Sequence, residues 1–421
     1  MPDLTSGLMW STTLPQWQRT YYEMLLLETL RMKSIMVPYC AVKTDYSAAN
    51  SGIVTFTEVY DSEPNWNGLA ETDIWLTGGH LDSRTVSIAL QIHGDILKFS
   101  DYNAIVQYVN KGDMRGLVRD KIGQNQVDYL DILARNAYLS HPNKTWMNSK
   151  ASRELLVAGD LFDPDVCEAF RVHLEENNIP GVSGIDADDN QTIVCVTTPR
   201  VIKDIRTGAG SKWLEVQEYL GTTRKLTGEV GMWNGIRFVR TNRLALRNYG
   251  ANVVQTHVDV AIIPGAGAAA TVDTVYTVGQ TAATKYITVD ATAGFVAGMY
   301  ITVHDVAKGL GAGHPPVETD GTQETRKIVQ VINGITMSVD KPFMKDHAIG
   351  ALVTNGINVH SSIFMGGPGV VYGVGEAPNV IVPPKYDDLM IVNRYGWRGF
   401  LKFQLFRPEF FEVIESAGST D

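Results

Sequence analysis

The chain has little of what most functional assignments start from. Its 421 residues hold three cysteines, Cys40, Cys167 and Cys195, odd in number and far apart. That argues against a disulfide framework and fits folding in a reducing cytoplasm. Cys195 stands in an apolar run and reads as a buried small hydrophobe. Basic residues are outnumbered, with 36 Lys and Arg against 46 Asp and Glu and a formal charge of −10. This balance argues against nucleic-acid binding as the main activity, although a local basic face can still lie near DNA. No apolar run approaches the roughly 18 residues that a membrane span needs. The opening MPDLTSGLMWSTTLPQW lacks a basic segment followed by an apolar one, so no secretion signal is expected.

Catalytic patterns are missing too. Nine histidines show no HExxH and no paired spacing. His304, Asp305 and His314 lie near one another; satisfied surface histidines are the default reading against a metal site. GLGAGH (309–314) and GGPG (366–369) lack the Lys-Ser/Thr of a phosphate loop and a following helix, so both read as turns. No GxSxG, CxxC or nucleophile–base pair stands out. Asp61, Glu63, Glu71 and Asp73 fit no calcium loop and read as a solvated acidic tip. No catalytic residue, cofactor or metal is expected, and an enzyme is poorly supported.

What is present is an α/β unit at 192–244. Thr192–Thr197 reads as a buried strand, and Thr198-Pro199 stops it. Arg200–Arg206 has helical spacing, with Val201, Ile202 and Ile205 on one side. Trp213–Leu220 reads as a second short helix. Val230–Trp233 and Ile236–Val239 flank Asn234-Gly235, a strong hairpin signal, because a type I′ turn needs φ > 0 at both central residues.

Around this unit stand elements that do not bury themselves. Residues 1–13 read as an arm, Gln16–Ser34 as a helix, and Cys40–Asn50 as loop. Gly52–Tyr60 and Ser83–Leu97 read as two long strands, the second alternating through Val86, Ile88, Leu90 and Ile92, joined by a long polar tip. A projecting two-stranded ribbon is marginal alone and needs support from elsewhere. Asp113–Leu139 reads as one long helix, and Asp163-Pro164 starts another. On the long helix, Arg115 and Arg119 share a face. They read either as exposed i,i+4 partners or as contacts to phosphates or an acidic surface. Residues 265–358 carry short strands, a second Asn-Gly hairpin at Asn333-Gly334, and no tryptophan, and read as a small inserted all-β module. The tail reads as strand, turn at Arg407-Pro408, strand.

The order of arm, extended ribbon, long helix, α/β domain and terminal strands resembles the major capsid proteins of tailed double-stranded DNA bacteriophages, and within them a podovirus-type branch. TYYEMLLLETL, IVCVTTPRVIKDIRT, LTGEVGMWNGIRFVRTN, VHSSIFMGGPGVVYGVG and YGWRGFLKFQLFRPEFFEVIES carry the likeness. The resemblance implies an α+β, HK97-like capsid fold. It divides the chain into an N-terminal arm (1–18), an N-terminal helix and connector (19–50), an extended loop with P-domain strands (51–100), and a spine helix with P-domain (101–160). An A-domain (161–264), an inserted β-barrel-like domain (265–358) and a return with C-terminal strands (359–421) follow.

It further implies a homo-oligomer of hexamers and pentamers, enclosing double-stranded DNA without sequence-specific binding and without a membrane. A scaffolding protein and a portal would act during assembly in the host bacterial cytoplasm, with a decoration protein as a further partner. The subunit contacts expected from it are Asp61, Glu63, Trp66, Glu71, Asp73, Trp75, Asp82, Arg84, Arg115 and Arg119, and Thr207–Lys212 would be a loop near the capsomer axis. Some shells of this fold cross-link through a lysine in the extended loop, but residues 44–97 contain none. The inserted module is expected on the outer face. The alternatives are an encapsulin-like bacterial nanocompartment shell and, from another class, a surface-binding or adhesin β protein.

Overall fold

The computed structural model describes residues 8–9, 34–44, 52–59, 82–100, 114–142, 144–177, 179, 181–182, 192–210, 213–215, 226, 228–262, 285–304, 324–343, 346–382 and 392–418. The Gln16–Ser34 helix, save Ser34, the ribbon tip and GLGAGH lie outside them.

The strands are β1 (Leu8–Met9), β2 (Ala41–Thr44), β3 (Ile53–Val59), β4 (Ser83–Ala89), β5 (Gln91–Ser100), β6 (Lys144–Trp146), β7 (Ile193–Thr197), β8 (Leu214–Glu215), β9 (Glu229–Trp233), β10 (Ile236–Arg240), β11 (Ala245–Leu246) and β12 (Asn252–His257). They continue with β13 (Tyr286–Thr288), β14 (Tyr300–His304), β15 (Glu324–Val331), β16 (Thr336–Val339), β17 (Leu352–Gly356), β18 (Val359–Met365), β19 (Val370–Ile381), β20 (Val392–Leu405) and β21 (Phe411–Ala417). The α-helices are α1 (Met114–Leu139), α2 (Pro164–Glu176) and α3 (Pro199–Ala209).

The chain divides into two compact units. The first comprises Met1–Arg31, Ala41–Leu130 and Val371–Phe406. Its five-stranded sheet has the order β1-β5-β20-β19-β2, and among the described residues β3 pairs only with β4. The antiparallel register of that ribbon runs from Ile53↔Ala89 to Val59↔Ser83. Period-two alternation then gives it two unlike faces. Val54 and Ile88 are fully buried: Val54 packs with Leu90, and Ile88, with Phe56 and Val86, against Val371 and Phe406. Between these strands and β19 the space is tight: a Cβ on Gly375 would lie 2.8 Å from Leu90 and 2.7 Å from Phe400.

Two expectations change in this unit. The strand read as Ser83–Leu97 is two strands in different sheets. The Leu90 amide still bonds Gly52 O at 2.8 Å, and from Gln91 the chain pairs with β20 instead. The face that is buried changes with the partner, so Ile92, read as the next apolar position, is 78% exposed. Cys40–Asn50 is not all loop, because Ala41–Thr44 pairs in parallel with β19. That strand is created by tertiary pairing, and its own sequence carries no signal for it.

The second unit comprises Met32–Cys40, Asp131–Val370 and Arg407–Asp421. Its main sheet runs β6-β21-β18-β7-β10-β9-β8, with β11 on β18. All residues of β7 and of β18 are buried. Helix α3 buries Val201, Ile202 and Ile205, as its spacing predicts. The β9–β10 turn has φ 49° at Asn234 and 75° at Gly235, the conformation a type I′ turn requires. Asp163 caps α2 by accepting from the Asp165 amide at 3.1 Å. Trp213–Glu215 is not helical: Leu214 pairs with Met232 at the sheet edge, and the Trp213 ring lies over Gly231, where a Cβ would approach it to 2.4 Å. Burial of the indole outweighs the weak helical spacing of this segment. Thr207–Ala209 also departs from its reading as loop, since α3 runs through Ala209 and stops at Gly210 with φ 55°.

The inserted module is a six-stranded sheet, β12-β17-β14-β15-β16-β13. Its two edges join through a Val258–Val289 bridge and through Asp259 N→Thr288 O (2.9 Å) and Asp290 N→His257 O (3.0 Å), closing a small barrel. The module therefore starts at β12, earlier than residue 265. It has its own core of Val258, Ile287, Val289, Ile301, Val303, Ile328, Met337, Phe343 and Val353, among others. Asn333-Gly334 does lie in a hairpin, but without positive φ at either residue. The Asn333 side chain accepts from the Ile335 amide at 2.9 Å, and this local turn replaces type I′.

Candidate assembly surfaces and a polar cleft

Ten residues are expected from the sequence at subunit contacts. Asp61, Glu63, Trp66, Glu71, Asp73 and Trp75 lie outside the described residues, and of Arg115 and Arg119 only the helical backbone is described. Asp82 is exposed at the start of β4. Arg84 stands opposite Glu58 across the ribbon, with its guanidinium 5.9 Å from the Phe406 ring centroid. It therefore lies on the ribbon's packed face, where it steadies the base. The other face carries Thr55, Thr57, Thr85 and Ser87, with Ile53 48% and Val59 60% exposed. Thr57 and Thr85 hydroxyls meet at 3.4 Å across this face.

Helix α1 is held by polar contacts that an apolar stripe did not predict. Residues to Leu130 belong to the first unit and those from Asp131 to the second. In the first, Ile122 is buried, Asn125 Oδ1 accepts from Trp397 Nε1 at 2.9 Å, and Gln126 Nε2 donates to Pro378 O at 3.1 Å. In the second, the Asp131 carboxylate is 1% exposed. It accepts from Ser34 Oγ (2.9 Å), Ile35 N (2.9 Å), Met36 N (2.7 Å) and Arg243. Arg135 donates to Arg243 O at 3.0 Å, and Tyr138 Oη to Tyr39 O at 2.8 Å. Val127, placed in the stripe by its spacing, is 39% exposed. The helix keeps part of its apolar stripe, with Ile122, Ala134 and Tyr138 buried, and adds to it a buried charge network around Asp131.

A second network closes β21 against the strand before it. Arg153 donates to both Glu415 oxygens at 2.7 and 2.5 Å, and Trp146 Nε1 reaches Glu415 at 3.0 Å. Burial pushes the Glu415 carboxyl up, but the Arg153 charge and hydrogen bonds, Lys144 and Trp146 outweigh it and hold it below the usual range. Burial also lowers the nearby Lys144 ammonium to about 8, with Glu415 opposing that shift.

Where the barrel joins the α/β core lies a cleft of about 670 Å³. Thr198, Pro199 and Arg200 at the start of α3, Asn242, Arg247, Asn248, Tyr300 and His360 are among the residues that line it. His360 is 4% exposed, and its Nδ1 lies 2.9 Å from Thr198 Oγ1. Burial, then the Arg200 charge, lowers this imidazole from 6.5 to about 4. The unfolded chain therefore binds the proton first. Stability that is complete above about pH 6.5 is lost as the pH falls toward 4, by up to about 3 kcal/mol. We expect a His360→Gln variant to unfold less steeply between pH 6.5 and 4, measured as urea midpoints against pH. Parallel midpoint curves for variant and parent would remove His360 as the cause.

Sequence reasoning missed Asp131, Arg243, Arg153 and Glu415. A signal existed for two of them: Asp131 and Glu415 interrupt apolar runs at YLDIL and EVIES. All three cysteines are free and buried, Cys195 in the apolar strand where its sequence places it. Among the described residues no group of three metal-ligating side chains gathers, and no helix is long and apolar enough to cross a membrane.

Sheet order, long helix and closed side barrel together define a class. Solved structures share it over nearly the whole chain. The capsid of Ralstonia phage GP4 is 12% identical, with a TM-score of 0.57 and 96% of each chain covered. The capsid of cyanophage P-SCSP1u is 10% identical, with a TM-score of 0.50 and coverage of 98% of this chain and 97% of that one. The cyanophage Pam1 capsid is 9% identical, with a TM-score of 0.50 and both chains fully covered. The fold is therefore the HK97-like capsid fold. Residues 132–311 match the family model described as "Phage capsid protein". No curated protein sequence matches the chain.

Proposed function

We propose that the chain assembles with copies of itself into the hexamers and pentamers of an icosahedral shell around double-stranded DNA, and that it acts without catalysis. The observation that carries the reading is the ribbon β3–β4. Its base is packed, its outer face is exposed, and no third strand joins it among the described residues. Such a ribbon has little stability of its own and gains it when a neighbouring copy covers it. The podovirus-type branch, a scaffolding protein, a portal and a decoration protein are further parts of the proposal. With no lysine at 44–97, this ribbon offers no lysine for a cross-link. Many modest non-covalent contacts, repeated around a closed shell, then supply the strength.

Two experiments bear on this. Expression of the chain alone or with its scaffold, followed by electron microscopy, should show roughly spherical shells. Soluble monomers under every assembly condition would sink the reading. In the ribbon tip, buried aromatics are expected to anchor the contact. Trp75→Ala should therefore leave monomer unfolding midpoints within about 0.5 kcal/mol of the parent while shell yield falls at least tenfold. A Trp75→Ala monomer that fails to fold, beside a stable parent monomer, would place Trp75 in the core instead.

A further inference from the structure

We propose that Asn333-Gly334, at the tip of the β15–β16 hairpin, is a modification site: the Asn333 carboxamide closes onto the Gly334 amide, and water opens the ring to aspartate and isoaspartate. The chain has four Asn-Gly pairs, beginning at Asn67, Asn234, Asn333 and Asn355. Asn67-Gly68 lies outside the described residues, and the other three stand in unlike surroundings.

At Asn333 the reacting groups are arranged for ring closure. Both residues of the pair are exposed. Asn333 Oδ1 accepts from the Ile335 amide at 2.9 Å, which folds the carboxamide back along the Asn333–Gly334 peptide, on the side of the Gly334 nitrogen. The same Ile335 N–H stands where the carboxamide oxygen gains negative charge during attack. Thr292 Oγ1 donates to Asn333 O at 2.8 Å, and Thr292 N to Gly334 O at 2.9 Å. The first of these bonds polarises the peptide and makes the Gly334 N–H more acidic. That N–H donates no hydrogen bond among the described residues, so none has to break before it is deprotonated. A Cβ on Gly334 would meet nothing within 4 Å, so the turn has room to rotate and water can reach it.

The other two pairs lack this arrangement. Arg171 donates to Asn234 O at 2.5 Å and to Asn234 Oδ1 at 3.3 Å, which holds that carboxamide beside its own carbonyl and away from the Gly235 nitrogen. Asn355 lies in β17, where Gly356 pairs with Asn252, and its side chain donates to Met299 Sδ at 3.2 Å.

The step needs no oxidant or reductant. Hydroxide takes the Gly334 amide proton, the nitrogen forms a bond to Asn333 Cγ, and the carbonyl electron pair moves to Oδ1. That pair returns as the Cγ–Nδ2 bond breaks, and Nδ2 leaves as ammonia with a proton from water, which restores hydroxide. A water molecule then adds to either ring carbonyl and breaks its bond to nitrogen. A neutral side chain has become a carboxylate, and in isoaspartate the main chain runs through the former side-chain methylene, which lengthens the turn.

The test incubates the full chain in mildly alkaline buffer and follows each Asn-Gly peptide by mass spectrometry, with isoaspartate identified by enzymatic methylation. Asn333 should convert at least about tenfold faster than Asn234 and Asn355, and faster as the pH rises, because attack needs the deprotonated amide. Gly334→Ala, whose methyl crowds the attacking nitrogen, should slow conversion at least about tenfold, and the open space there keeps the variant folded. Thr292→Val removes the hydroxyl donor and should slow it about threefold, whereas Thr292→Ser keeps the donor and should react at the parental rate. Conversion at Asn333 no faster than at Asn355, or a rate the same in Thr292→Val as in Thr292→Ser, overturns the proposal.

Discussion

An Arg153→Met variant is expected to lose about 3–5 kcal/mol of folding stability, because it leaves Glu415 buried without its partner. Glu415 is fully buried and Arg153 is 3% exposed, so no water replaces the lost guanidinium. Trp146 Nε1 remains as a donor, and Lys144 as a charge whose own ionisation is already weakened by burial. The loss is a large share of the 5–15 kcal/mol typical of a whole domain, so much of the protein should be insoluble when expressed. Urea unfolding of unassembled chains measures it. The Arg153→Met/Glu415→Leu double variant should cost less than the sum of the singles by at least about 2 kcal/mol. A single-variant loss under about 1 kcal/mol would show that the pair is dispensable. The pH dependence has a definite sign. Glu415 lies below its ordinary range when folded, so its contribution is present at neutral pH and disappears as the pH falls through the folded value.

Excision of Asn252–Gly356, with Ala251 joined to Ile357 through two glycines, should leave the rest of the chain folded. Those ends already touch: Ile357 N donates to Ala251 O at 3.2 Å, and Gly250 N to Ile357 O at 3.0 Å. Ala251 is also fixed to Leu156 O at 2.9 Å. The barrel has its own hydrophobic core, and its excision uncovers mainly Tyr249, which packs on His304, and Asn248, which donates to Tyr300 O and Thr302 Oγ1. A cut from residue 268 would do worse, because it removes β17 and leaves β12 without its partner. Far-UV and near-UV circular dichroism of the shortened chain checks the first point. An unfolded remainder would mean that the barrel is a structural part of its host. If the barrel strengthens contacts between capsomers, shells of the shortened chain should form and then dissolve at a lower temperature than parental shells. Equal heat stability would assign the barrel to another role, such as binding at the outer surface.

Much of the architecture was legible because it is local. Asn234-Gly235 demands its turn, Asp163-Pro164 its helix start, and Val201, Ile202 and Ile205 their face, wherever the rest of the chain goes. Five of the six barrel strands are legible as short β-rich runs between turns; β12, which pairs with β17, is not. Misreadings fall where a distant partner decides. Ala41–Thr44 is a strand only because β19 lies beside it. Trp213–Glu215 follows its indole into the core and gives up helical spacing. Ile92 keeps the alternation of β4 but lies in a strand that has changed sheets. Of the expected contact residues, Arg84 illustrates the same point: its charge is visible in the sequence, and its place over Phe406 is not.

By itself, the sequence determined that the chain is poor in catalytic patterns, that it carries a long helix, a ribbon and an inserted β module, and that their order resembles that of HK97-like capsid subunits. Short-range preferences and side-chain periodicity act over a few residues and survive any arrangement of the whole. Only the tertiary structure decided which charges are buried together, where the barrel begins, and that Thr292 clasps the Asn333-Gly334 turn. Asp131 with Arg243 and Arg153 with Glu415 lie 112 and 262 residues apart. Pairing at that separation is set by the tertiary packing of the second unit, and no local pattern encodes which residues meet.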